Sequence, residues 1–592
     1  MSTGRNRRNV DHSDETRRTR GALRGIDPDP PAEREGHRRR VRRPGGAVRA
    51  EPVPGPARLP AVLHPPRTAV HRVPGPLGDH AQARRVTRTL LLGARVLDPG
   101  APPGPAAVEV VDGTITHVHP AHEATDVTGD HVLHLDGALL TPAFVDAHVH
   151  ATSTGLLVDG LDLAGCPSPR ALLDAVRART TARPGALVWG HGWQEQTWDA
   201  PPPTRAELDR AAQGAPVYLS RIDVHSALVS SDLAPSGAPD GPLTADAHHH
   251  ARRAALAAVD GPVRDAAQRA FLTGAAARGV GVVHECAGPD ISSRADLAAL
   301  RARAAAGEGP DVVGYWGEAV TTAEEARDLL AATGAHGLAG DLFVDGSIGS
   351  RTAALAAPYA DAPGCTGNRY LDAGQVAAHV AACTAAGVQA GFHVIGDAAA
   401  AILVEGLQRA RTSGAGPGPV RHRVEHLEMV DAGQIAVLAA HGVVASVQPL
   451  FDAYWGGPDG MYAERLGARA AAMNPFAALH AAGVVLALGS DSPVTPVGPW
   501  EAVRAAVAHR TPGSGLTQAQ ALAAHTVGGH RAAGDTHPLA GRIVLGAPAS
   551  YAVWDTDADG LAGECLRTVQ RGRVLHDTLV PGRAPAVAPF PA

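Results

Sequence analysis

The sequence predicts an α/β fold: a (β/α)8 barrel of the TIM type with a small composite β-sandwich domain built from both chain ends. Three observations lead there. Short apolar runs alternate with alanine-rich helical stretches over roughly 400 residues, the pattern of parallel β/α units. Strand-like runs with tight turns flank that region, at residues 87–140 and 541–578. A chain of 592 residues has the length for one large barrel, assigned to 141–540, and an appended domain.

Residues 1–85 come first and differ from the rest. They hold 19 Arg against 9 Asp and Glu, whereas the remainder holds 34 Arg against 50 acidic residues. The segment is rich in Pro, Gly and Arg, lacks a periodic apolar face, and is expected to be a disordered basic leader or a start assigned upstream of a true beginning near Val86. A basic arm can bind nucleic acid, but no aromatic residue is interleaved for base stacking, which argues against that partner. Asp11, Asp14 and Glu15 fall where a secretion signal needs apolar residues.

Next come runs 89–96, 107–111 and 114–118, the last two separated by Asp112-Gly113. Both residues of that pair tolerate positive φ, so a hairpin is expected. Near the other end, 549–554 and 566–574 are strand-like, with a turn at Arg571-Gly572. Between the ends, strands are expected at 144–148, 188–190, 217–221, 280–285, 342–344, 388–393, 420–426, 443–447 and 484–488. Helices are expected to include 171–179, 323–330, 376–386 and 402–411.

Composition narrows the chemistry. No lysine occurs, which excludes Schiff-base catalysis, a Walker A phosphate loop and a carboxylated-lysine metal bridge. The five cysteines form no C-x-x-C pair, so a disulfide framework or zinc ribbon is not expected, and a reducing, cytoplasmic location is. No apolar stretch reaches the roughly 18 to 20 residues that span a bilayer.

With 30 histidines, about one or two H-x-H triplets arise by composition alone, and three occur. His117-Val118-His119 follows the hairpin, and His248-His249-His250 lies in a polar, alanine-rich stretch; both are expected to be solvated or incidental. His148-Val149-His150 instead ends the apolar run 139–150. Residues i and i+2 of a strand point to one side, so both imidazoles face one point, as two metal ligands must.

Residues 141–150, Thr-Pro-Ala-Phe-Val-Asp-Ala-His-Val-His, resemble the opening signature of the amidohydrolase superfamily. Further motifs follow in order: Asp223-Val224-His225-Ser226, Asp345-Gly346-Ser347, Gly391-Phe392-His393, Arg423-Val424-Glu425-His426 and Gly489-Ser490-Asp491-Ser492-Pro493. Together they resemble amidohydrolase family 3, the branch similar to N-substituted formamide deformylases. The resemblance implies that His148, His150, His393, His426 and Asp491 converge on a metal. Imidazoles with a carboxylate suit Zn²⁺, which makes hydroxide available at neutral pH. Asp491 is expected to serve as ligand and proton shuttle. Relatives commonly place a lysine where Asp341 stands here. One zinc is therefore expected, and two if Asp341 or Glu285 supplies a carboxylate to a second ion.

Trp193, His225 and Arg351 match family motifs and are expected to line the substrate pocket. The resulting expectation is a metal-dependent hydrolase of a non-peptide C–N bond in an amide, N-substituted formamide or cyclic amide. Hydrolytic deamination of a heterocycle on the same metal is the alternative. A nucleic-acid-binding protein on an inactive barrel is a further one. The partner is a small-molecule substrate; the sequence leaves homo-oligomerisation open.

Overall fold

The computed structural model describes residues 86–579, apart from 125–127, 197, 413, 415–420 and 557–561. The leader expected over 1–85 lies outside the described residues. Among those described, no helix is long and apolar enough to cross a membrane.

Strands from the two chain ends pair in one eight-stranded sheet. Arg88–Val96 runs antiparallel to Pro105–Val111 and parallel to His131–His134 and Leu139–Pro142. Leu139–Pro142 in turn pairs antiparallel with Tyr551–Thr556, which continues into Ala562–Gln570 and Arg573–Asp577. The Asp112-Gly113 turn has φ of 47° and 79°, and the Arg571-Gly572 turn 48° and 79°, as two-residue hairpin loops require. The two turns abut: a Cβ built on Gly572 would lie 2.6 Å from the Gly113 Cα, so neither glycine can be replaced without displacing the other turn. The apolar run 139–150 is divided at Ala143, its first part in this sheet and its second in the parallel core.

That core consists of Phe144–Val149, Val280–Ala287 and Asp311–Trp316 in one parallel sheet and Gly391–Val394, Arg423–His426, Val444–Val447 and Val485–Leu488 in another. Parallel bridges join the sheets, Tyr315 to Gly337 and Leu338 to Ala390 on one side, Val149 to Ser492 on the other. The expected strand 342–344 forms only the bridge Phe343 to His393, because Gly340 turns to φ 80° and the chain leaves the extended conformation just before Asp341. Asp311–Trp316 is a strand the pattern did not single out. Val188–Trp193 and Val217–Arg221 are strands, but of a separate five-stranded sheet inserted after the first core strand. Apolar runs identify strands without identifying their sheet.

Phe144 anchors the start of the core. It is fully buried, with the Trp500, His525 and Trp554 rings edge-on at 5.6, 5.1 and 5.8 Å. Trp554 comes from the terminal sheet, so one aromatic cluster ties that sheet to the core.

Candidate active site

His148 and His150 leave the C-terminal end of Phe144–Val149 on one side, their ring centroids 5.2 Å apart. His393 comes from Gly391–Val394 and His426 from the end of Arg423–His426, with ring centroids 4.4 Å apart. Asp341 lies between the two pairs. Its Oδ2 is 3.5 Å from His148 Nε2 and 3.2 Å from His150 Nε2, while its Oδ1 is 3.2 Å from His393 Nδ1 and 3.7 Å from His426 Nε2. Asp491 Oδ1 reaches the first pair, at 3.4 Å from His148 Nε2 and 3.1 Å from His150 Nε2. All six side chains are buried.

The backbone fixes this arrangement across the bridge between the first and last core strands. Asp491 N–H donates to His148 O at 2.8 Å and His150 N–H to Ser492 O at 2.9 Å. Buried Asp146 accepts from Ser490 N–H at 2.8 Å. His426 and Asp491 adopt φ of 72° and 55°, left-handed conformations costly for residues with a Cβ. Such outliers persist where the surroundings over-determine them, and here both residues turn into the same centre.

The donor atoms suit a cation. His148 Nδ1–H donates to Glu425 Oε2 at 2.9 Å and His426 Nδ1–H to Gln448 Oε1 at 2.8 Å, leaving each Nε2 as a lone-pair donor toward the centre. His148 Nε2, His426 Nε2 and Asp491 Oδ1 are buried and make no hydrogen bond among the described residues. Among the described residues four sets of side chains could hold a metal: His148, His150 and Asp341; Asp341, His393 and His426; His148, His426 and Asp491; and His148, Cys286 and Glu425, the last drawn away from the centre by the Arg423 grip on Glu425. Burial disfavours charge on every member; mutual attraction outweighs it at His148, His150, His426, Asp341 and Asp491, whereas at His393 burial wins and pushes the imidazole down. Asp341 is held well below the usual carboxylate range by His148, and His150 is raised to about 9 by Asp341 and Asp491.

A support that the strand alternation indicates, as packing or a hydrogen bond from the far side of the strand, stands behind His148. Glu425 points to the side of its strand opposite His426, and that side faces His148. Fully buried Arg423 grips it with Nε to Oε1 at 2.6 Å and Nη2 to Oε2 at 2.9 Å, and also donates to Ala147 O at 2.7 Å. Despite burial, Arg423 keeps the Glu425 carboxyl well below its usual range. The i, i+2 spacing of Arg423 and Glu425 was the available signal.

Several expectations are corrected. Glu285 joins none of these ligand sets; its Oε2 accepts the Ala151 N–H at 2.7 Å, and burial raises its carboxyl to about 7. Trp193 packs inside the insertion, with Nε1–H on Leu219 O at 2.8 Å and its ring stacked on Trp198. Arg351 is engaged by Asp361, its Nε 3.1 Å from Oδ2, and does not face the centre. His225 does: it lines the cavity beside His393, ring centroids 5.2 Å apart, together with Trp455, Tyr462 and Glu428. His117 is solvent-facing and sits 2.5 Å from Glu109. In the third triplet, His248 and His249 are buried, because they lie on the inner face of helix Ala245–Ala257; only His250 is exposed.

Histidine pairs and aspartates gathered at strand ends of a parallel α/β core define a metal-dependent hydrolase. Residues 131–576 match the family model described as the amidohydrolase family, and the chain belongs to that family. It is 26% identical over 492 residues to Protein LONG AFTER FAR-RED 3 of Arabidopsis thaliana, covering 75% of this chain and 83% of that protein. It is 28% identical over 412 residues to YtcJ of Bacillus subtilis (strain 168), covering 64% and 74%; the name of YtcJ assigns it provisionally to the amidohydrolases. Among solved structures, an uncharacterized metal-dependent hydrolase of Pyrococcus horikoshii OT3 superposes with a TM-score of 0.63 at 24% identity, over 80% of this chain and 98% of that one. One from Pyrococcus furiosus gives 0.62 at 22%, over 79% and 99%. These likenesses show the α/β fold with a TIM-like barrel.

Proposed function

We propose that the chain hydrolyses a non-peptide C–N bond, in an amide, N-substituted formamide or cyclic amide, using two zinc ions. The observation that carries this reading is Asp341, whose two carboxylate oxygens face separate histidine pairs. It stands where a carboxylated lysine bridges two metals in relatives, and revises the expectation of one ion. His148, His150 and Asp491 would hold one ion, His393 and His426 the other, and Asp341 both. Bound zinc lowers the pKa of water to about 7 and polarises a carbonyl.

The chain's own residues supply the rest. Asp491 takes the proton of the attacking water on Oδ1 and returns it to the leaving nitrogen, a role supported by its fixed backbone and by an oxygen that faces His148 and His150 of the centre. Glu425 and Gln448 hold the tautomers of His148 and His426. His225 and Trp455 wall the substrate cavity. The reading also takes the barrel as closed through Val149 and Ser492, and the sheet from both chain ends as a composite domain of 87–140 and 541–578.

The test is metal analysis of the purified protein with a screen of N-formyl amines, N-acyl amino acids and cyclic amides. About two zinc ions per chain and turnover of one amide class are expected. A protein that binds no divalent metal and cleaves none of them would overturn the reading.

A further inference from the structure

Arg252 lies four residues after His248 and three after His249 on helix Ala245–Ala257, so the three share one face. It is 7% exposed. Its guanidinium donates to two backbone carbonyls, Val224 O and, at 3.4 Å, Asp290 O, with the Tyr218 hydroxyl beside it. Among the described residues no carboxylate comes within ion-pair distance of it. The other buried arginines near the centre are neutralised: Arg221 by Glu195 at 2.8 Å and Asp223 at 3.1 Å, Arg423 by Glu425, and Arg465 by Glu195 at 3.0 Å.

The neighbouring acids are committed elsewhere. The Asp290 carboxylate pairs with Arg253 and lies 3.8 Å from His249, while Asp223 accepts from Ser347 and Ser350 as well as facing Arg221. Burial and then the Arg252 charge hold His248 well below its usual range and His249 down at about 4, so both rings stand neutral beside the cation. Val224 itself has φ 50°, a strained conformation for a β-branched residue, and presents its carbonyl to Arg252. A buried charge without a counter-charge is costly, and an anionic ligand group would supply the missing partner.

The location identifies that ligand. Arg252 and the metal-facing His150 line the same pocket, with Ser153, Ser220, Tyr218 and Pro493. We infer that Arg252 is a specificity-determining residue that grips a carboxylate on the leaving-amine side of the scissile bond, so that the substrate is an N-acyl or N-formyl amino acid. A guanidinium carries five N–H donors, of which the two backbone carbonyls engage one on each terminal nitrogen, and its planar fork can offer a carboxylate two of the others. The inference rests on the hydrolase reading for its chemistry.

The experiment compares N-formylphenylalanine with N-formylphenethylamine, which lacks only the carboxylate, in wild type, Arg252→Gln and Arg252→Lys. Wild type is expected to favour the acid by about 10²-fold or more in kcat/KM. Arg252→Gln should reduce that ratio to within about threefold, and Arg252→Lys, which keeps charge but not the fork, should retain part of it. The ratio separates recognition from folding, since general damage lowers both substrates together. A parallel titration calorimetry measurement uses 3-phenylpropionate and 3-phenylpropanamide as inert probes, with binding of the acid expected to be lost in Arg252→Gln. Turnover without a preference for the acid, or with a preference that survives Arg252→Gln, overturns the inference. Acid binding that depends on Arg252, with no amide hydrolysed, overturns the hydrolase reading and leaves the anion site standing.

Discussion

His148 and His150 each bring a nitrogen to the centre, so His148→Ala or His150→Ala should lower metal content and activity together. Asp491→Asn keeps the shape and one oxygen but not the basic carboxylate. Its kcat is expected to fall by roughly 10²- to 10⁴-fold while most of the metal stays, which metal analysis beside steady-state kinetics will separate. His117→Ala, at an exposed triplet of the same form, should alter neither quantity. Glu425→Gln should weaken metal affinity by about 10- to 100-fold through His148, measured by competition with a chelator. The residues brought together here were legible because the strand period of two puts His148 and His150 on one side and because the motifs occur in order. Glu285 was misjudged because a carboxylate at a strand end can satisfy a backbone N–H as readily as a metal. Arg252 was invisible, since nothing in a sequence distinguishes a paired arginine from an unpaired one.

At the level of the strand, the centre depends on how closely Val485–Leu488 and its continuation approach Phe144–Val149. A Cβ on Gly489 would lie 2.6 Å from His148 N and 3.0 Å from its Cβ. Gly489→Ala should therefore push His148 off its position, destabilise the fold by about 1–3 kcal/mol and reduce metal content, although no ligand is altered. A melting curve and metal analysis check both parts; an unchanged metal content would show that the neighbouring strand can absorb the displacement. Strands rich in valine, such as Val280–Ala287 and Val444–Val447, were readable from their composition. The segment around Asp341 was not, because Gly340 breaks the extended chain there. Asp311–Trp316 escaped notice because its run is short and begins with an acidic residue, and its identity as a strand comes from pairing with Val280–Ala287.

For the molecule as a whole, the sheet formed from both chain ends is expected to govern solubility. Ending the chain after residue 540 removes Tyr551–Thr556 and exposes the edge of Leu139–Pro142, together with the Asp98 carboxylate that pairs with Arg542 at 2.8 Å. The truncated protein is expected in the insoluble fraction on expression; a soluble, active product would show that the parallel core folds alone. Turn chemistry made the two ends readable as strands, Asp112-Gly113 and Arg571-Gly572 above all, but only the pairing of Leu139–Pro142 with Tyr551–Thr556 joins them into one sheet.

That pairing has a consequence for biosynthesis. Pro142 waits for Tyr551, about 410 residues behind it in the chain. At a ribosomal rate of roughly 5 to 20 residues per second, the open edge persists for about 20 to 80 seconds on every nascent chain. Phe144 meanwhile lacks the Trp554 ring that covers it, directly before the two histidines of the first strand. The support behind the proposed metal centre of each new molecule is thus completed only after nearly the entire polypeptide has left the ribosome, and a holding chaperone has that interval in which to act.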